Sequence, residues 1–222
     1  MDRIMKGGFQ ISSTTQTAGT AITAIIPGKR NYITRLTELI YTSGTTQHTL
    51  IVMRPIATTT LASAAAAGAS TLTLTAVDSG KTSAGVAENL AASDWLAWEQ
   101  DDGTVDYDVI SSINTTTKVV TLTGTNAVAA AAASRVWLFY EPARPVHFAF
   151  TPQVALATYY TAYTTRFGNE VGGVAESKIQ QWQDPYNYNN SNVSRYCPLL
   201  IYCANATAAG RLVAANGYYA TT

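Results

Sequence analysis

The chain has 222 residues, 47% of them hydrophobic and only 13% charged, with 14 Lys plus Arg against 14 Asp plus Glu. A neutral chain with about half the usual charge of a soluble domain has no global field to draw in nucleic acid or an anionic membrane. The length suffices for one large β domain or two small ones, each with a proper core.

Threonine and alanine stand where charge would be, which leaves few helix-surface residues and many strand formers. The composition predicts an all-β protein. A surface of near-zero net charge also favours association, so the chain is expected to work in an assembly.

The N-terminal "MDRIMKGGFQISSTTQTAGTAITAII" has no apolar run of signal-peptide length, and no run of about 18 strongly apolar residues occurs anywhere, so folding in a cytoplasm is expected. The sequons at Asn114, Asn189, Asn192 and Asn205 are incidental to a Thr- and Ser-rich chain. Next, "NYITRLTELIYTSGTTQHTLIVMRPI" carries two apolar runs around Ser43 and Gly44 and ends at a proline.

Two seams follow: "ATTTLASAAAAGAS" at residues 57 to 70, low in complexity, and "YEPARP" at 140 to 145, with two breakers. Between them the period-two alternation predicts five strands, near 70–76, 94–100, 104–113, 118–124 and 135–140. Five short strands over so few residues predict a small barrel or sandwich. "STLTLTA" and "KVVTLTG" read as one motif used twice, and "AVAAAAASRV" has the alanine content of a single helical turn.

Asp102-Gly103, between "SDWLAWEQD" and "TVDYDVISSI", is a strong hairpin signal, because Gly supplies the positive φ of a tight turn. Asp106 and Asp108 then share one face, opposite Tyr107 and Val109. The cluster Asp101, Asp102, Asp106 and Asp108 lacks the glutamate-terminated spacing of an EF-hand, and a solvated hairpin face is expected.

Beyond the second seam, "VHFAFTP", "ATYYTAYTTRF", "YCPLLIYCA" and "GRLVAANGYYA" read as further strands. The fold class expected is all-β: an outer β-sandwich or jelly-roll-like domain from residues 1–60 and 141–222, interrupted by a small β-barrel at 61–140. Cys197 and Cys203 on one strand lie about 20 Å apart at ~3.3 Å per residue, too far to pair with each other. Two buried thiols are expected, with an intermolecular disulfide or a reactive thiol as the alternative.

The two histidines, His48 and His147, have no ligand neighbours at short spacing, and neither a G-x-S-x-G elbow nor a phosphate-binding loop occurs. No catalytic, cofactor or metal residues are therefore expected. In "KIQQWQDPYNYNNSNVSRY", residues 178 to 196, Trp182, Tyr186, Tyr188 and Tyr196 interleave with amides. That pattern suits a protein interface, with a plain ordered loop or a glycan groove as the alternatives.

The middle phrases "ASTLTLTAVDSG", "ASDWLAWEQDDGTVDYDVISSI", "TTKVVTLTG" and "AAAASRVWLFY" resemble the small β domains of tailed-bacteriophage virion structural proteins. The flanks "KRNYITRLTELIYTSGTTQHTLIVMRP" and "PLLIYCANATAAGRLVAANG" look like the β-sandwich of phage head or tail accessory proteins. Within that class the resemblance implies a head decoration or cement protein, a homotrimer on the outer capsid surface with the major capsid protein as partner. No enzyme activity, cofactor, nucleic acid or membrane enters that expectation. The contacts are expected from a flexible arm at residues 1 to 20, with Phe9 and Ile11, and from Trp182, Tyr186 and Tyr188. The alternative is a tail or baseplate module that binds host glycans.

Overall fold

The computed structural model describes the backbone of residues 5–14, 22–26, 33–42, 50–53, 55–81, 87–142, 148–150, 162–166, 198–203 and 212–220, and side chains mainly between 55 and 142. Every regular element among these residues is a strand, β1 to β16. The chain divides into two compact units, Met1–Val52 with Phe148–Thr222, and Met53–His147.

The first unit holds β1 (Met5–Thr14), β2 (Ile22–Ile26), β3 (Ile33–Thr42), β4 (Leu50–Met53), β13 (Phe148–Phe150), β14 (Ala162–Arg166), β15 (Leu199–Cys203) and β16 (Leu212–Ala220). Its antiparallel pairs are nested: β1 with β16, β2 with β15, β3 with β14, β4 with β13. Eight strands so paired form one long hairpin, and the hairpin is rolled into two sheets, β1-β16-β3-β14 and β13-β4-β15-β2. That strand order is a jelly roll. Leu199, Leu200 and Ile201 are all fully buried, so β15, between β4 and β2, is covered on both faces.

The tip of the rolled hairpin is the connection from β4 to β13, where Val52 pairs with Phe148. The second unit is inserted there. It comprises β5 (Ala57–Thr60), β6 (Thr71–Thr73), β7 (Asp78–Lys81), β8 (Ala87–Asn89), β9 (Trp95–Glu99), β10 (Val105–Asn114), β11 (Val119–Leu122) and β12 (Arg135–Phe139). Six of these form a sheet in the order β5-β12-β9-β10-β11-β6, while β7 and β8 make a separate hairpin.

The two ends of that sheet meet. Ala62 N–H donates to Thr73 O at 2.8 Å, Thr75 N–H donates to Thr60 O at 2.9 Å, and Leu61 bridges Leu74, so the sheet closes as a barrel. β10 turns the corner between two neighbours: Val105–Val109 pair with β9, and an irregularity between Ile110 and Ser112 passes the strand to β11. The interior is filled by Leu61, Leu72, Leu96, Trp98, Ile110 and Leu138, among others. Trp95, Ala97, Trp137 and Phe139 are buried too, and by alternation they occupy the other face of β9 and β12.

All five strands expected in the middle segment are present, and so are those of the C-terminal flank. Three local expectations are corrected. Over Met5–Thr14 the expected flexible arm is a ten-residue strand paired with β16. Ala57–Thr60, read as the start of a low-complexity seam, is a barrel strand, because Arg135–Leu138 supply it with a ladder. No helical turn forms over 127–134, where Ala130 exchanges both backbone hydrogen bonds with Ala65, at 2.8 and 2.9 Å, and tertiary pairing overrides alanine's propensity.

Candidate functional site

The acidic cluster lies on the hairpin of β9 and β10. Its tip is a three-residue loop: Gln100 N–H donates to Thr104 O at 2.9 Å, Gly103 N–H donates to Gln100 O at 3.0 Å, and Gly103 has φ +83°. Asp102 sits exposed at this tip. Hydrogen bonds from the Thr104 hydroxyl, at 2.6 Å, and the Thr104 N–H, at 2.9 Å, hold its carboxyl below the ordinary carboxylate range.

Asp106 and Asp108 face Trp98 and Leu96 across the ladder, so they lie on the inward side of the barrel wall. The expected solvated face is thus corrected: both are half-buried, and their oxygens are taken up by backbone N–H groups. Asp106 Oδ2 accepts from Ala127 N–H at 2.9 Å and from Gln100 Nε2 at 3.0 Å. Asp108 Oδ2 accepts from Gly124 N–H at 2.6 Å. Asp101 Oδ1 accepts from Ala131 N–H at 2.8 Å. Three carboxylates on one hairpin therefore hold three points of the loop between β11 and β12.

Beneath that loop lies a polar network that the sequence reading did not identify. Asn126 is fully buried, and its Oδ1 accepts from Trp98 Nε1 at 2.9 Å and from Gln100 Nε2 at 3.0 Å. Its Nδ2 donates to Ala66 O at 3.1 Å, and its backbone exchanges hydrogen bonds with Gly68 and Ala69. Each polar atom of this residue is used, as burial demands. The signal available in the sequence was an amide inside an otherwise small and apolar run, "GTNAVAAAAA". Asp94, also buried, accepts from Ala91 N–H at 2.9 Å and from Glu141 N–H at 2.8 Å.

Beside the carboxylates, Trp95 and Tyr107 stack with ring centroids 6.2 Å apart. Burial pushes the Tyr107 phenol above its ordinary value, and the charges of Asp106 and Asp108 push the same way. Among the described residues no group of three or more His, Cys, Asp or Glu converges to hold a metal. With its oxygens bonded to backbone donors, the cluster does the work of fixing a loop.

Of the residues expected at an interface, Phe9 and Ile11 lie on β1, opposite Gly217 and Ala215, and β1 is an outer strand of its sheet. Trp182, Tyr186 and Tyr188 lie outside the described residues, as do Tyr196, Cys197, His48 and His147; Cys203 closes β15 opposite Ile22.

No family model matches the sequence, and no curated protein does. Among solved structures the chain is similar to VP17, a capsid protein of bacteriophage P23-77, at 14% identity over 100% of both chains with a TM-score of 0.20. It is also similar to infectious bursal disease virus, Gx strain, at 12% identity over 99% of this chain and 40% of that one, TM-score 0.13. The VP2 subviral particle of infectious bursal disease virus follows at 13% identity over 100% and 40%, TM-score 0.12. Scores this low establish no shared fold, and the jelly roll rests on the strand order alone.

Proposed function

We propose that the protein is a structural component of a bacteriophage virion and, within that class, a capsid decoration or cement protein on the outer head surface. The observation that supports this reading best is the nested strand order β1-β16-β3-β14 and β13-β4-β15-β2, an architecture used by viral capsid and lectin domains. The low, balanced charge of the sequence agrees with a chain that works against neighbours rather than alone. In this reading the jelly roll and the inserted barrel are separate domains. The protein buries surface across joints between capsomers, and many small contacts summed over a shell resist internal pressure. The major capsid protein is the partner, the decorating species is a homotrimer, and Phe9, Ile11, Trp182, Tyr186 and Tyr188 make the contacts.

Co-sedimentation with undecorated capsids tests the proposal. Saturable binding, with a rise in the temperature at which the shell ruptures, is the expected result, and failure to bind at any concentration would overturn it. Light scattering behind size exclusion tests the trimer, which should weigh three times the 23.6 kDa chain.

A second reading, a glycan-binding tail or baseplate module, draws on the same jelly-roll architecture, since lectin domains share it, and on the aromatic and amide residues of 178–196. It predicts saturable binding to host polysaccharide that is lost in a Trp182→Ala, Tyr186→Ala double variant.

A further inference from the structure

We infer that the inserted barrel is an internal duplication: β5, β6 and β9 form one repeat, β10, β11 and β12 the other, and a pseudo-two-fold axis exchanges them. The correspondence starts from the phrases "LTLTA" and "VTLTG", residues 72–76 and 120–124. β6 and β11 pair with each other, Thr73 with Val119 and Thr71 with Thr121, about a centre where Leu72 faces Val120. β9 and β12 pair likewise, Trp98 with Val136 and Leu96 with Leu138, about a centre where Ala97 faces Trp137.

Any one antiparallel pair has such a local axis, so the weight lies on the contacts that must then follow. β5 must meet β12 as β10 meets β9. Ala57 with Leu138, Thr58 with Trp137 and Thr60 with Arg135 reproduce Asp106 with Trp98, Tyr107 with Ala97 and Val109 with Trp95. Leu61 must meet Leu74 as Ile110 meets Leu122, and it does.

The correspondence extends past the strands. Thr75 N–H donates to Thr60 O at 2.9 Å, and Thr123 N–H to Val109 O at 2.9 Å. Leu61 N–H donates to Ser134 O at 2.9 Å, and Ile110 N–H to Asp94 O at 2.8 Å. The residues that enter β9 and β12, Ser93 and Ala133, both take a positive φ, 78° and 66°, and donate to Ile110 O and Leu61 O respectively. Positive φ is uncommon for residues other than glycine, and here it falls at equivalent places in both repeats.

One side-chain contact is shared and has diverged as a pair. Thr59 Oγ1 accepts from Ala76 N–H at 3.0 Å, and its counterpart Asp108 Oδ2 accepts from Gly124 N–H at 2.6 Å. The longer acceptor goes with the smaller donor residue: a Cβ on Gly124 would stand 3.1 Å from Asp108 Oδ2, tighter than ordinary contact. The repeats differ most between their second and third strands, where the first carries the hairpin of β7 and β8 and the second carries the carboxylate-held loop. Each repeat alone leaves an apolar face open, Leu72, Leu74 and Leu96 in one, Val120, Leu122 and Val136 in the other, and the pair closes one core.

The test transplants the diverged pair in the full-length protein and follows melting by tryptophan fluorescence, which three of the four tryptophans report from this barrel. Gly124→Ala alone should lower the melting temperature by about 2–4 °C. Adding Asp108→Thr, which imports the partner used in the first repeat, should return the double variant above Gly124→Ala. A double variant that melts at or below Gly124→Ala overturns the equivalence. Should Gly124→Ala fail to fold, the reciprocal pair decides: Thr59→Asp with Ala76→Gly should melt above Thr59→Asp alone, and the reverse order overturns the inference.

Discussion

Trp98 Nε1 donates to Asn126 Oδ1 at 2.9 Å, and both side chains are completely buried. This contact joins the barrel interior to the loop between β11 and β12, and the same amide oxygen also receives Gln100. Removing the amide leaves the buried Trp98 indole N–H without its partner and takes one acceptor from Gln100, while the Ala66 carbonyl keeps its hydrogen bond from Ala69 N–H. Asn126→Ala is therefore expected to cost about 1–3 kcal/mol, because the indole N–H left behind stays buried. Urea titration checks this as a lowered midpoint; a change within about 0.5 kcal/mol would mean the network has little effect on stability.

Gly103 and Ala133 are opposite cases of one backbone rule. Gly103 has φ +83° with nothing near where a Cβ would stand, so Gly103→Ala is penalised by conformation alone, by about 1 kcal/mol. Ala133 has φ 66° without being glycine, and Ala133→Gly is expected to be neutral or stabilising by up to about 1 kcal/mol. Thermal melting of the two variants should move in opposite directions, or leave Ala133→Gly level.

Alkaline pH should act through Tyr107. Its phenol is raised above the ordinary value in the folded protein, so the native state keeps its proton where the unfolded chain has lost it. That stability is fully present below a pH of about 10 and declines as pH rises through the folded value. Tyr107→Phe should flatten this alkaline decline, which a denaturant series between neutral pH and the alkaline range would show.

Asp102 works in the other direction. Its depressed value, set by Thr104, means a stabilisation present above the ordinary carboxylate range and lost as pH falls through the folded value. Thr104→Val removes the hydroxyl and keeps the backbone N–H, so it should weaken that acid dependence at the hairpin tip, seen as an Asp102 titration moved part of the way up toward its ordinary value by NMR.

The local alternation was legible wherever a strand carried its own contrast. β9, β10 and β12 announce themselves through Trp95, Tyr107, Trp137 and their polar neighbours, and Gly103 marks the turn. β1, β2 and β5 did not, since "MKGGFQISST", "ITAII" and "ATTT" acquire their pairing only from residues far along the chain. The carboxylates were legible as a cluster but not as clamps, because the groups they bind are backbone N–H groups of a distant alanine loop. A sequence names side chains, and here the partners are main chain. The jelly roll was legible as a class; its strand order needed the nested pairing of β1 with β16 through β4 with β13.

The proposed structural place in a virion is tested first by the protein composition of purified particles of the phage that, on this proposal, encodes the chain. The chain should be present in a fixed ratio to the major capsid protein, retained through density-gradient purification and lost with the head shell when particles are dissociated. Absence of the chain from purified particles, or a ratio that falls with each purification step, would contradict it.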